Sequence, residues 1–253
     1  MKIYAVLNQK GGVGKSTLTA NLAAGLARDG RAVLAVDLDA QAGLTQSLLG
    51  PRAADVRAGA YEILAARAKA ADVIIEARPG LRLVPATPDL AAADFELAGV
   101  PGRERILAGA LADIRGAEVA LIDCGPSLGL LSVLALGAAR GVIVPVLAEY
   151  LAVAAVARLI ETIERTRAGI NPRLALAGVI VCRYDERRIL NRKAAEDLRR
   201  VFGAAVYKTM IRENITVAES PSYGQTVAEY RPGSHGAEDF AALTAEFSRR
   251  ELS

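Results

Sequence analysis

Tryptophan is absent from this sequence, histidine occurs once (His235), cysteine twice (Cys124 and Cys182), and aromatic residues make up only 4% of the 253 residues. A single histidine excludes multi-histidine metal sites. His235 also falls in the turn-like run Arg231-Pro232-Gly233-Ser234-His235-Gly236, a poor setting for the base of a catalytic triad. The cysteines lie far apart and outside any CxxC spacing. That removes zinc and thioredoxin-like readings and suits a reducing, cytoplasmic compartment. Long apolar runs are lacking as well. Gly141–Ala148 carries Pro145 and falls far short of the roughly 20 residues needed to span a bilayer. The opening stretch Ile3-Tyr4-Ala5-Val6-Leu7 passes at once into Asn8-Gln9-Lys10, unlike a signal peptide.

What remains is ample for a core. Apolar residues are 52% of the chain, which excludes disorder as the dominant state. Near-continuous apolar runs at Lys2–Leu7, Ala32–Val36, Leu81–Pro85, Glu118–Asp123, Val142–Leu147, Leu174–Cys182 and Ala205–Ile211 read as strands buried on both faces. Helical segments at Lys15–Asp29, Arg103–Arg115, Leu128–Ala139, Val153–Ala168 and Leu190–Phe202 alternate with them. The pattern predicts an α/β fold, a mostly parallel twisted sheet with helices on both faces. No linker, repeat or low-complexity tract divides residues 1–253, so one domain is expected. Net charge is a mild +3, unevenly spread: Arg183–Arg212 holds nine Lys/Arg against four acids. Such a segment suits an anionic partner or simply a solvated helix face.

The motif with the most chemistry is Asn8-Gln9-Lys10-Gly11-Gly12-Val13-Gly14-Lys15-Ser16-Thr17, between the first strand and the first helix. Glycines allow backbone N–H groups to turn inward as an anion nest, and the helix N-terminus adds its dipole. Lys15 is placed to reach the β- and γ-phosphates, and the Ser16 hydroxyl to ligate Mg²⁺. The general phosphate-loop pattern wants Gly where Gln9 stands, and a second lysine, Lys10, precedes Lys15. Two strand ends supply carboxylates. Asp123 closes the apolar run Leu121-Ile122-Asp123 and suits the Mg²⁺ shell. No Glu follows it, so Asp39, two residues beyond Asp37, is the candidate for orienting the attacking water and for sharing the metal shell. It lies on the same face as Asp37 if the strand continues.

These residues resemble the deviant Walker A ATPases, and within them the ParA/Soj partition proteins. The resemblance implies a single-domain P-loop NTPase using ATP and Mg²⁺. Lys10 then corresponds to the signature lysine that crosses an ATP-sandwich homodimer, and Asp39 to the catalytic aspartate of the first switch loop. Ala40 and Gly125 stand where the family has prolines. Further segments of the same likeness are Leu83–Leu90, Phe95–Gly99, Val144–Tyr150 and Ala218–Gly224, so the resemblance runs almost end to end. No helix-turn-helix extension before the first strand is expected, a pattern that resembles the short, chromosomal-type members.

The resemblance also implies a cytoplasmic, nucleoid-associated protein that binds DNA non-specifically as an ATP dimer and is stimulated by a ParB-type partner. Physically this needs basic side chains on one surface and no base-reading element. Arg187 matches the family arginine, and Arg188, Arg192, Lys193, Arg199 and Arg200 extend the patch. Where the family has Ile-Pro-Arg-Asn-Val-Arg, this chain has Ile211-Arg212-Glu213-Asn214-Ile215-Thr216. Both family arginines are gone, and Arg212 replaces the proline. Either the DNA face is rebuilt around Arg212 and residues 187–200, or DNA binding is weak. By the same resemblance Asn214, with Arg212 beside it, lies near the adenine.

Two other classes compete. A MinD-like membrane-cycling ATPase needs a lipid-binding C-terminal helix. Phe240, Leu243, Phe247 and Leu252 offer apolar groups beside Arg249 and Arg250, but the first three have the spacing of a helix docked on the core. No stable membrane association is therefore expected. A biosynthetic P-loop ligase needs a small-substrate signature that is not visible. The two cysteines also lack the Cys-Gly-Gly type of context of nitrogenase-type reductases, so both are expected to be buried and inert.

Overall fold

A computed structural model describes residues 1–253. Its eight strands are β1 (Lys2–Val6), β2 (Val33–Leu38), β3 (Ile75–Arg78), β4 (Leu81–Val84), β5 (Val119–Cys124), β6 (Gly141–Leu147), β7 (Ala175–Tyr184) and β8 (Ile211–Arg212). They form one sheet in the order β3-β4-β2-β5-β1-β6-β7-β8, parallel throughout except for the antiparallel β3–β4 pair. The longer helices used below are α1 (Lys15–Arg28), α2 (Gly43–Leu49), α3 (Ile106–Ala112), α4 (Leu130–Ala138), α5 (Ala152–Gly169), α6 (Ile189–Phe202) and α7 (His235–Phe247).

Successive strand residues alternate between two separate cores. Ala5, Leu34 and Val36 belong to the core under α3–α6, whereas Tyr4, Val6, Val33 and Ala35 belong to the core under α1, α2 and α7. A strand that feeds apolar side chains into both layers must read as an unbroken apolar run, and this chain does so. The layered, mostly parallel architecture is as the sequence predicts.

Three local differences have identifiable causes. The chain over Ala205–Ile211 is not one strand: it pairs with β7 only through a bridge between Val206 and Val179 and through β8. The Lys208 and Thr209 N–H groups donate instead to the Glu246 carboxylate on α7, each at 2.9 Å. The unpredicted β3 is a short hairpin arm turned back on β4 at Pro79-Gly80. His235, placed by the sequence in a turn, is the first residue of α7, whose N-cap Ser234 accepts a hydrogen bond from Ala237 N at 3.2 Å.

Parallel strands aim all their C-terminal ends at one edge. Asn8, Asp39, Gly125, Ala148, Asp185 and Glu213 follow six different strands at that edge, and the loops that bear them build the site.

Candidate nucleotide site

The loop Asn8–Gly14 runs from β1 into α1. Gly12 and Gly14 take φ of +72° and +92°, a left-handed backbone that glycine adopts without strain. Gly14 is the N-cap and no side chain caps the helix, so the first N–H groups of α1 face the loop without an internal acceptor. Lys15 is buried, Ser16 and Thr17 half-buried, and Gly11 and Gly12 exposed. Buried Asn8 locks the loop: its Nδ2 donates to Pro145 O at 2.6 Å and its Oδ1 accepts from Lys10 N at 3.0 Å. Asn8 is a site residue that sequence reasoning missed, and its place at the start of the glycine run was the only signal. Lys10 reaches outward and forms an ion pair with Glu149, just beyond β6.

Asp37 and Asp123 stand side by side, in register on β2 and β5, and both are fully buried. Burial first, then the neighbouring Asp37 charge, pushes the Asp123 carboxyl well above the usual range, while the Ser16 hydroxyl and the Lys15 ammonium oppose the shift. Burial likewise raises Asp37 to about 6, against hydrogen bonds from Thr45 and Asp39. Asp123 Oδ2 is buried without a hydrogen-bond partner, an arrangement that calls for a cation. No group of three or more His, Cys, Asp or Glu is arranged to hold a metal by itself. One hydroxyl, one or two carboxylates and a polyphosphate are a fitting donor set for Mg²⁺, which retains several waters.

Asp39 does not continue β2, which ends at Leu38, so its relation to Asp37 is set by a turn instead of strand alternation. Its backbone N donates to Asp37 Oδ1 at 3.1 Å, and its own Oδ1 accepts from Gln41 N at 3.0 Å. The Asp39 carboxylate lies over Gly125: a Cβ there would sit 3.5 Å from Asp39 Cγ. The loop between β2 and α2 thus brings Asp39 to the end of β5. It does so with Ala42 at φ +52°, a costly conformation for a residue with a Cβ. Ala42→Gly is expected to raise stability by about 0.5–1 kcal/mol, read as a higher urea midpoint at unchanged slope.

Beside the loop opens a cavity of about 540 Å³ lined by Gly12, Gly14, Thr17, Arg183, Arg212 and Asn214, among others. Asn214 caps the short helix Ile215–Glu219, its Oδ1 accepting from Thr216 N at 2.9 Å, and its Nδ2 makes no bond within the chain. Arg212 is already engaged. Its Nη2 pairs with Asp239 Oδ1 at 2.6 Å and with Glu238 at 3.2 Å, so its charge is neutralised within the fold.

The basic segment follows β7. Arg187 forms a two-pronged pair with Asp185 at 2.9 and 3.0 Å, and this holds the Asp185 carboxyl down at about 2. Arg183 and Arg188 both grip Glu213, each at 2.9 Å. Arg200 pairs with Asp197 at 2.6 Å, and Arg192 Nη1 donates to Glu186 O at 2.7 Å. Helix α6 buries Ala194, Ala195 and Leu198 and leaves Arg192, Lys193, Arg199 and Arg200 exposed. Exposed pairs of this kind contribute about 0–1 kcal/mol each and exchange readily for another anion. Glu213, which binds two of the arginines, was legible only as a lost arginine.

The C-terminal helix spends its apolar face internally: Phe240, Leu243 and Phe247 are buried, and no helix is long and apolar enough to cross a membrane. Cys124 and Cys182 are free and buried on different strands. Burial raises both thiols, Cys182 to about 12, which leaves them inert.

Comparison with known proteins agrees with this geometry. A family described as an AAA domain matches residues 1–176. The chromosome-partitioning ATPase Soj of Thermus thermophilus is 46% identical over 97% of this chain and 95% of its own. The chromosome partitioning protein ParA of Caulobacter vibrioides is 38% identical over 99% of this chain and 95% of its own. Among solved structures, a cobyrinic acid a,c-diamide synthase from Mycobacterium smegmatis with bound ADP and magnesium is 33% identical. It covers 100% of this chain and 96% of its own at a TM-score of 0.86. The partition proteins are the more similar in sequence over the same length. The chain belongs to the ParA/Soj family of chromosome-partitioning ATPases.

Proposed function

We propose that the protein is an ATP-driven DNA-partitioning switch, with residues 1–253 acting as one ATPase domain. The observation that carries this reading is the convergence of Lys15, Ser16, Asp39 and Asp123 at one sheet edge, beside a cavity of nucleotide size. The open N-terminus of α1 and Lys15 bind the phosphates of ATP. Ser16, with Asp123 and Asp39 behind it, holds Mg²⁺, which supplies charge neutralisation at the transferring phosphate. Asp39 orients the attacking water. Asn214 presents its unbonded amide to the base.

Lys10, exchanged from Glu149 to the phosphates of a second copy, joins two subunits around ATP. The joined basic surfaces of residues 187–200 then grip DNA, and hydrolysis, stimulated by a ParB-type partner, dissolves the dimer. Arg187, Arg188, Arg192, Lys193, Arg199 and Arg200 are the DNA contacts; Arg212 contributes mainly to the cavity wall, because Asp239 and Glu238 hold its guanidinium. This places the protein on the nucleoid in the cytoplasm. The membrane-cycling alternative lacks comparable support, since the apolar face of α7 is used in the core.

Binding of this type is electrostatic and carries a salt signature. With about four phosphates neutralised per site, log K for random-sequence DNA with ATP is expected to fall with a slope of about −3.6 against log salt. Fluorescence anisotropy at graded KCl measures it, and salt-insensitive binding contradicts it.

A further inference from the structure

We propose that Thr45 is a positioning residue for ATP hydrolysis, acting on Asp39 through a buried hydrogen-bond relay. The proposal rests on the reading of Asp39 as the water-orienting group.

Thr45 sits in the first turn of α2 and is almost fully buried. Its backbone N and its hydroxyl both donate to Asp37 Oδ2, at 2.8 and 2.7 Å. The other Asp37 oxygen, Oδ1, accepts from Asp39 N at 3.1 Å. Thr45 Oγ1 in turn accepts from Ala86 N at 2.9 Å, where the chain leaves β4. A hydroxyl has one proton. Here it is committed to Asp37, and a lone pair is committed to Ala86, so the polarity of the relay is fixed.

The consequence falls on the loop between β2 and α2. One end of that loop is tied to Asp37 at Asp39, and the other is tied to Asp37 and Ala86 at Thr45. Within it, Ala42 N donates to Asp39 O at 2.8 Å. Gly43, the first residue of α2, packs on Ser16: a Cβ there would lie 2.9 Å from Ser16 Oγ. Helix α2 has no side-chain cap of its own, so Asp37 takes the place of one for Thr45 N. Thr45 therefore determines where the Asp39 carboxylate stands relative to Ser16 and Gly125. Its hydrogen bonds go to Asp37 and Ala86 and none goes to Lys15 or to the glycines that cradle phosphate, so it separates the chemical step from binding.

The test is a graded series at one position in the full chain: Thr45→Ser, Thr45→Cys and Thr45→Val, assayed for ATP hydrolysis with Mg²⁺, with Asp39→Ala as reference. Valine keeps the volume and removes both hydroxyl bonds; cysteine keeps a weak donor; serine keeps the relay. Expected is a fall in kcat of about tenfold for valine, a smaller fall for cysteine and recovery for serine. KM for ATP should stay within about twofold throughout. Equal kcat across the series overturns the relay, as does a loss that serine does not recover. If the valine variant does not fold, the cysteine–serine difference decides, and equality again overturns it. Full activity in Asp39→Ala instead overturns the reading of Asp39 on which the relay depends.

Discussion

Asp123→Asn is expected to yield a nucleotide-free protein harder to unfold than the parent, yet one whose ATP hydrolysis is slower by at least about a hundredfold. Both effects come from the same pair of buried carboxylates. Asp37 and Asp123 are neighbours across two central strands, with no cation in the fold placed to neutralise both. Asp37 has three hydrogen bonds to offset its burial, whereas Asp123 Oδ2 has none. Removing one charge relieves repulsion and desolvation together, a gain on the order of 1–2 kcal/mol at neutral pH.

The sign of the pH dependence follows from the direction of the shifts. A carboxyl raised in the folded state is easier to protonate there than in the unfolded chain. Its favourable contribution is complete below the unfolded pKa and is lost as pH rises through the folded one. For Asp37, raised from 3.8 to about 6, that loss falls between those two values, and Asp123 acts in the same direction. Urea unfolding of the nucleotide-free chain at pH 7, beside steady-state hydrolysis with Mg²⁺, measures both halves. A destabilised Asp123→Asn protein contradicts the assignment of Asp123 as an unsatisfied cation ligand.

Asp39→Ala is expected to lower kcat by about a hundredfold to a thousandfold while leaving KM for ATP within about twofold. Asp39 stands on a loop, bonded through its backbone to Asp37 and through its carboxylate to Gln41, and it makes no hydrogen bond to the phosphate loop. In the proposed mechanism its removal takes away the water-orienting group and one outer carboxylate of the metal shell, while Lys15, Ser16 and the open end of α1 remain to bind the phosphates. If the proposed switch holds, DNA binding with ATP is expected to persist in this variant and to decay more slowly than in the parent, because in that scheme release follows hydrolysis. Steady-state kinetics and dissociation of labelled DNA after dilution test the two parts separately.

The phosphate loop was legible because its requirements are local: glycines at positive φ, a lysine and a hydroxyl at the start of a helix, and an apolar strand before them. The parallel sheet was legible because strands buried on both faces show it in composition. The departures share a different origin. Helix α2 opens on Gly43 without a capping side chain of its own, and it forms because buried Asp37 accepts from Thr45, a contact that needs the tertiary fold. Residues 208–209 fail to pair as a strand because Glu246, 37 positions further on from Thr209, takes their N–H groups.

Charge behaved likewise. The excess of basic residues over 183–212 is correct as a count, but Glu213 lies one residue beyond it and binds both Arg183 and Arg188 across two loops. Arg212 is matched by Asp239 from a helix well downstream. Linear charge density reports the segment and not which of its charges face solvent unopposed. The exposed arginines and Lys193 on α6 are consequently better candidates than Arg212 for the proposed DNA contacts.

The nucleotide dependence of DNA binding tests the partition switch most directly. Labelled random-sequence duplex is titrated with the protein and Mg²⁺ in the presence of ATP, of ADP and of no nucleotide, with Lys15→Ala alongside. Expected is tight binding with ATP alone, weak binding in the other two conditions, and no ATP response in Lys15→Ala. Equal affinity in all three conditions, or no binding with ATP, would contradict the switch.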